Sequence, residues 1–431
     1  MNTIKTFAVI SVCPGVKKTF YGFINFCLKQ EPIKPTLTAR GGNFVKKFAH
    51  SGIKLLSQLL LLTLFLLTST AAHADQLKIG VILAETGPAS FLGGPAVRSL
   101  GLLDSEIQGA GGISGNQLQL IYRDSGGSPE KAVSFARQLI EEEKVFAIIG
   151  PSTSGESLKI KKICEDAGVI LISCASAELI VKPVTPFIFK TAPSDSFAVQ
   201  RIFMTMNEMS ITSIAVLTGN TGFGKAGKDQ MLKIAPEYGI KIVENETYDK
   251  SATDLTALVA KIKANPEVQA VVNWSIVPAQ SIIAKNIRQA GWNVPIFQSH
   301  GFANIKYVEA AGAAAEGIIF PASRLMIAES LPAGPQKDFL MKYKTGYEAK
   351  YGEEVSTFGG HAYDAMLLIK QAVETVGTDP AKIREALESI KGFYGTAGEF
   401  NLSPADHCGL GIDAFTMLTV KNGQFELLKK E

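Results

Sequence analysis

The chain is poor in the residues that mark the commoner kinds of chemistry. Five cysteines in 431 residues are too few for a disulfide-built scaffold. Cys13 and Cys27 fall near the start, and the spacing of Cys164, Cys174 and Cys408 fits no metal site. Cys164 lies on an amphipathic helix pattern and Cys174 follows an apolar strand, so buried packing is expected for both. Only His300, His361 and His407 follow residue 75, too scattered for a metal motif, and no G-x-S-x-G elbow accompanies them. No metal, cofactor or catalytic residue is implied, and a Ser–His hydrolase has nothing positive in its favour. Charged residues are a modest 19%, with 40 Gly and 19 Pro, which excludes disordered and collagen-like chains. No stretch after residue 75 is long and apolar enough to span a membrane as a helix.

Charge is unevenly distributed. The first 74 residues hold nine Lys/Arg against Glu31 alone, so the formal +3 of the whole becomes −5 for residues 75–431. That balance removes the electrostatic case for nucleic acid. Residues 46–74 read as a secretory signal peptide, with Lys46, Lys47 and Lys54 before an apolar Leu55–Leu67 stretch. Ala72-His73-Ala74 is an A-x-A cleavage site before Asp75. Thirteen residues reach roughly 20 Å, short of the ~30 Å hydrocarbon core, which disfavours an uncleaved anchor. No Cys stands at the cleavage site, so lipid anchoring is not expected. Residues 1–45 are surplus to such a leader, and a translation start near Val45 would account for them.

From residue 75 on, apolar strands alternate with helices. Leu77–Leu83, Leu118–Tyr122, Val145–Ile149 and Val169–Ile172 read as strands, and Ala132, Val133, Ala136, Leu139 and Ile140 recur with helical period. The pattern restarts after Pro193, with strands at Ile214–Leu217, Ile240–Val243, Ala270–Asn273 and Ile296–Gln298. A helix with Ala362, Ala365, Met366, Ile369 and Val373 on one face follows. The chain ends with a strand at Ala414–Val420 and an Asn422-Gly423 turn. Short apolar runs between helices predict parallel sheets covered on both faces, an α/β class. Two doubly wound units in series predict two lobes and a cleft at their strand ends.

Three loops fall at such ends. Gly150-Pro151-Ser152-Thr153-Ser154-Gly155 follows a strand and opens a helix, where backbone amides and the helix dipole can meet an anion. Ser173-Cys174-Ala175-Ser176-Ala177 ends the next strand and should lie beside it. The alternative is that these serines cap helices. Gly222-Phe223-Gly224-Lys225-Ala226-Gly227 matches G-x-G-x-x-G, with Glu244 ending the next strand. However, Thr218–Thr221 separate the strand from the first glycine, which weakens a dinucleotide reading. A turn presenting Phe223 to the cleft is preferred.

The residues taken in order, Ile79-Gly80-Val81, Thr86-Gly87-Pro88, Gly111-Gly112-Ile113-Ser114-Gly115, Asp124 with Ser128-Pro129, Ile149-Gly150 with its serine loop, Phe223-Gly224 and Ala315-Glu316-Gly317, form a familiar series. It resembles the periplasmic solute-binding proteins of branched-chain amino acid ABC transporters, of the leucine/isoleucine/valine-binding type, over about residues 77–425. The resemblance implies a two-lobed type I periplasmic binding fold with three hinge crossings, placed near Lys190–Pro193, Phe320–Ala322 and Gly398–Leu402. Lobe 1 is expected over 75–192 and 322–398, and lobe 2 over 193–321 and 399–431, after a leader at 1–74. Ser154, Ala175 and Ser176 fall where relatives hold the ligand's carboxylate and amino groups. Phe223, Phe91 or Leu92, and Trp274 or Ile276 fall on its apolar wall.

One position departs from the pattern. Relatives place an acidic residue against the ligand's ammonium, where this chain has His300, and nothing in the sequence places Glu178 or Glu85 as a substitute. The implied function is a periplasmic receptor, monomeric and without enzymatic activity, that delivers a small carboxylate solute to an inner-membrane ABC permease. The solute is either an amino acid of branched-chain type or, on the strength of His300, an aromatic or other carboxylate lacking an amino group. A ligand-sensing regulatory protein is the alternative class. Mass spectrometry of the precursor and mature chain tests the leader: the mature N-terminus is expected at Asp75, and peptides from residues 1–40 would contradict a start near Val45.

Overall fold

Apolar strands without alternation need cover on both faces, and the chain builds that arrangement twice. The computed structural model describes residues 76–429, so the leader, its cleavage after Ala74 and the start near Val45 lie outside the described residues. β1 (Gln76–Leu83), β2 (Gln117–Asp124), β3 (Ala147–Ile149), β4 (Ile170–Ser173) and β5 (Ile188–Lys190) form a parallel sheet in the order β2-β1-β3-β4-β5. β6 (Ser213–Gly219), β7 (Lys241–Tyr248), β8 (Ala270–Trp274), β9 (Ile296–Gln298) and β10 (Ile319–Ala322) repeat it as β7-β6-β8-β9-β10. β11 (Phe393–Tyr394) and β12 (Glu399–Phe400) make a small separate hairpin. β13 (Thr416–Lys421) joins the second sheet antiparallel to β10, and β14 (Gln424–Leu427) pairs antiparallel with β13 at its edge.

The helices are α1 (Ser90–Gly109), α2 (Pro129–Glu141), α3 (Ser154–Ala167), α4 (Asp195–Glu208), α5 (Gly222–Ile234), α6 (Thr256–Lys263), α7 (Ala279–Gln289), α8 (Ile305–Ala311), α9 (Pro335–Tyr351), α10 (Thr357–Val376) and α11 (Pro380–Glu388). Two lobes result, each with a sheet between helices. After β10 the chain returns, and α9–α11 cover the first sheet: Leu340, Met366, Ile369 and Leu387 join Ile79, Ile148 and Leu171 in one core. The second sheet has apolar clusters on both faces, around Val271 and Ile283 on one side and Val272 and Ile202 on the other. Among the described residues no helix is long and apolar enough to cross a membrane.

Three expectations change. Phe400, Leu402, Cys408, Leu410 and Ala414 pack in the first core, so the chain enters the second sheet only at Thr416, not near residues 398–402. The second lobe's last segment therefore starts later than residue 399. Glu244 sits inside β7, which runs on to Tyr248, because an edge strand tolerates polar residues on its open face. Cys164, Cys174 and Cys408 are free and buried, as packing roles for the first two require.

The β11–β12 hairpin is fastened to α10 by one carboxylate. Asp364 is fully buried and accepts from Thr396 N at 2.7 Å, Thr396 Oγ1 at 2.9 Å and Ala397 N at 3.0 Å. Burial pushes its pKa up to about 7 against the opposing effect of these donors. Removing the carboxylate leaves buried donors unpaired, so Asp364→Ala should cost about 2–4 kcal/mol in chemical denaturation. Asp364→Asn, which retains one acceptor oxygen, should cost less.

Candidate ligand site

Ligands of open parallel sheets collect beyond the strand ends where the order reverses. Both sheets reverse between equivalent strands, β1 and β3 in one, β6 and β8 in the other. The loops at those ends face each other and line a narrow cavity. Leu92, Ser152–Ser154, Cys174–Ser176 and Ala192 line it from the first lobe, and Phe223, Ile276, His300 and Gly301 from the second. Phe358 and His361, at the start of α10, complete it.

The serine loop turns sharply at Gly150, whose φ of +94° suits glycine and whose Cβ would overlap the Ile82 carbonyl. Capping of α3 falls to Thr153, in a reciprocal box with Glu156: Thr153 N donates to Glu156 Oε2 at 3.1 Å, and Glu156 N to Thr153 Oγ1 at 3.4 Å. Ser154 is thereby free of capping. Its Oγ accepts from Ala177 N at 3.3 Å, which ties the two loops together. Ser154, Ala175 and Ser176 thus come together on one wall.

The glycine-rich turn serves packing. Thr221 caps α5 by accepting from Gly224 N at 3.0 Å. A Cβ on Gly224 would strike the Gly219 carbonyl, and one on Gly227 the Trp274 ring. These glycines are accounted for by close contacts within the lobe, and the turn presents Phe223 to the cavity as expected.

Two wall residues differ from expectation. Trp274 does not line the cavity. It is fully buried behind it, stacked on Phe223 at 5.5 Å between ring centroids and edge-on to His300 at 5.5 Å, while Ile276 lies at the surface of the wall. Leu92, not Phe91, faces inward; Phe91 packs edge-on against Tyr307 at 5.1 Å. His361, too far from the other histidines in sequence to suggest a shared site, lines the cavity with His300.

Sequence reasoning missed the acidic residue. Glu178 bonds Lys182 at 2.7 Å and lies outside the cavity lining, and Glu85 is exposed. Asp195, the first residue of α4, is fully buried, with Oδ1 3.6 Å from His300 Nε2 and neither oxygen at hydrogen-bonding distance from a partner. Burial pushes its pKa up to about 6, partly offset by the nearby Ser176 hydroxyl and Lys190. Lys190 is also buried, and its Nζ donates to Ser176 O at 2.8 Å and Ser194 Oγ at 2.9 Å. Burial, reinforced by neighbouring positive charge, pushes His300 and His361 down to about 3. Both imidazoles are therefore neutral at pH 7, and the Nδ1 of each is buried without a partner. Lys190, Asp195 and the two neutral rings of His300 and His361 thus lie around the cavity.

A polar rim and an apolar wall shut between two lobes define a solute-binding protein. The chain belongs to the periplasmic binding protein family, whose model matches residues 76–424, and that family consists of substrate-binding proteins, not enzymes. It is 27% identical over 325 residues to a leucine-, isoleucine-, valine-, threonine- and alanine-binding protein of Pseudomonas aeruginosa, covering 74% of this chain and 84% of the relative. It is 25% identical to a Leu/Ile/Val-binding protein homolog of Brucella melitensis, covering 75% and 86%. An extracellular ligand-binding receptor from Rhodopseudomonas palustris superposes with a TM-score of 0.76 at 26% identity, covering 82% of this chain and 99% of that one. A branched-chain amino acid transporter substrate-binding protein from Streptococcus pneumoniae, solved with isoleucine, gives 0.71 at 27%, covering 82% and 98%.

The raised pKa of Asp195 carries a stability signature. Its folded value of about 6 exceeds the ordinary 3.8, so the folded state binds the proton more readily between these values. That contribution is favourable at low pH and is lost as pH rises from about 4 to about 6. Asp195→Asn removes the loss, and the ligand-free variant should be more stable than wild type at pH 7 by on the order of 1–3 kcal/mol. The difference should vanish near pH 4 in paired denaturation curves.

Proposed function

We propose that the chain is the substrate-binding component of an ABC importer, exported by a leader cleaved after Ala74 and acting as a periplasmic monomer. Its ligand is an α-amino acid with an apolar side chain of branched-chain size. The observation that carries this reading is Asp195 buried between His300 of the second lobe, 3.6 Å from its Nε2, and Ser176 of the second serine loop, whose carbonyl accepts from Asp195 N at 3.3 Å. Hydroxyls and amides of the serine loops hold the carboxylate. His300 turns its Nε2–H toward Asp195, which leaves Nδ1 as an acceptor for the ammonium, with the carboxylate charge behind it. Leu92, Phe223 and Ile276 contact the side chain. Ala175 gives room and backbone groups, and Trp274 backs the wall.

A second reading, an aromatic carboxylate without an amino group, draws on the aromatic rings of Phe223 and Phe358 and on the neutral His300. Asp195 weighs against it, because a second anion near a buried carboxylate is repelled with little solvent screening. The names of the Pseudomonas and Brucella relatives agree with the first reading.

A thermal-shift screen of leucine, isoleucine and valine beside benzoate-like acids separates the two. The three amino acids should stabilise the protein and benzoate should not. Ser154→Ala and Asp195→Asn should each weaken leucine about tenfold or more in calorimetry, and leucine affinity should fall below about pH 6 as Asp195 takes up its proton. Stabilisation by benzoate-like acids alone would select the second reading.

A further inference from the structure

The cavity walls are almost sealed: Ser154 is 1% exposed, Ile276 5% and His300 8%. A solute can enter only if the lobes part, so contacts that join the lobes around the cavity exist only in the shut form. Three such contacts touch no cavity-lining side chain. At the first, α3 and α5 meet through backbone: a Cβ on Gly222 would stand 2.6 Å from Gly155 Cα, whereas a Cβ on Gly155 would stand 3.7 Å from Gly222 Cα. At the second, Gln230 Nε2 on α5 donates to Glu178 Oε2 of the first lobe at 2.9 Å. At the third, Asn304 Nδ2 donates to the Phe91 carbonyl at 2.8 Å, while its Oδ1 caps α8 by accepting from Lys306 N at 3.0 Å.

We infer that this seam of Gly222 on Gly155, Gln230 with Glu178, and Asn304 with the Phe91 carbonyl is a closure latch whose members set ligand affinity without contacting the ligand. The inference rests on the two-lobed binding reading above. Its sharpest feature is asymmetry. A methyl on Gly222 meets main chain that cannot yield, while one on Gly155, which does not line the cavity, makes only an ordinary contact. Gly222 occupies the first position of α5, where alanine is well tolerated, so the parted form should fold normally.

The test replaces exposed Lys162 and Lys241, one in each lobe, with a ketone-bearing residue for spin labels, and measures interlobe distances by pulsed dipolar spectroscopy with and without leucine. Wild type and Gly155→Ala should share a short-distance population. Gly222→Ala should lose it, keep the wild-type melting temperature without ligand, and bind leucine at least about tenfold more weakly. Gln230→Ala and Asn304→Ala should each reduce the short-distance population and weaken leucine between about two- and tenfold. Gly222→Ala with a wild-type distance distribution overturns the latch, as does a wild type that never shows the short distance. If the variants separate as stated without ligand but leucine changes nothing, the amino-acid reading fails and the latch stands.

Discussion

The burial of opposite charges five residues apart constrains everything around the cavity. Lys190 ends the last strand of the first sheet and Asp195 begins the first helix of the second lobe. Both are buried, and a buried charge deprived of its compensating groups costs several kcal/mol. The lysine meets this by donating to the Ser176 carbonyl and the Ser194 hydroxyl. One ammonium thus fastens the second serine loop to the segment where the chain changes lobe. The aspartate faces the Ser176 hydroxyl and the imidazole of His300, itself held by aromatic contacts to Trp274 and Phe223. Loop position, lobe connection and site charge are in this way a single problem with a single solution.

Neutral imidazoles follow from the same arrangement. Burial first disfavours a charge on His300 or His361, and the positive charge of Lys190 beneath the first-lobe wall adds repulsion in a medium that screens poorly. The histidines therefore contribute ring faces and unpaired nitrogens, and Asp195 places a carboxylate beside His300. In the proposed reading, a ligand carrying both signs meets both fixed charges, and a simple anion meets one of them as a repulsion.

Much of the architecture was legible in the residue pattern because central parallel strands are unbroken apolar runs. β1, β3, β4, β6, β8 and β9 stand within a few residues of where Ile79, Ile148, Leu171, Val216, Val271 and Phe297 suggested. The short strands at Ile188–Lys190 and Ile319–Ala322 carry too few residues, with Pro321 among them, to declare themselves as sheet. The serine loops were recognisable from position, but the capping by Thr153 that frees Ser154 was not. Asp195 gave no local signal: Ser194-Asp195 before an apolar period reads as an ordinary helix start, and its burial depends on where β5 and His300 lie. Phe91 and Leu92, or Trp274 and Ile276, are told apart only by the rotation of the chain as it leaves a strand or enters a helix.

The first lobe's core has a consequence for how the molecule comes into being. It joins residues 77–189 to residues 325–414, with the whole of the second sheet's parallel strands threaded between them. Neither half of that core can bury its apolar surface alone, so the first lobe cannot be completed until the chain is nearly finished. Such long-range closure slows acquisition of the native state. The first lobe therefore stays open for most of the chain's synthesis, whereas the second can close its own core earlier.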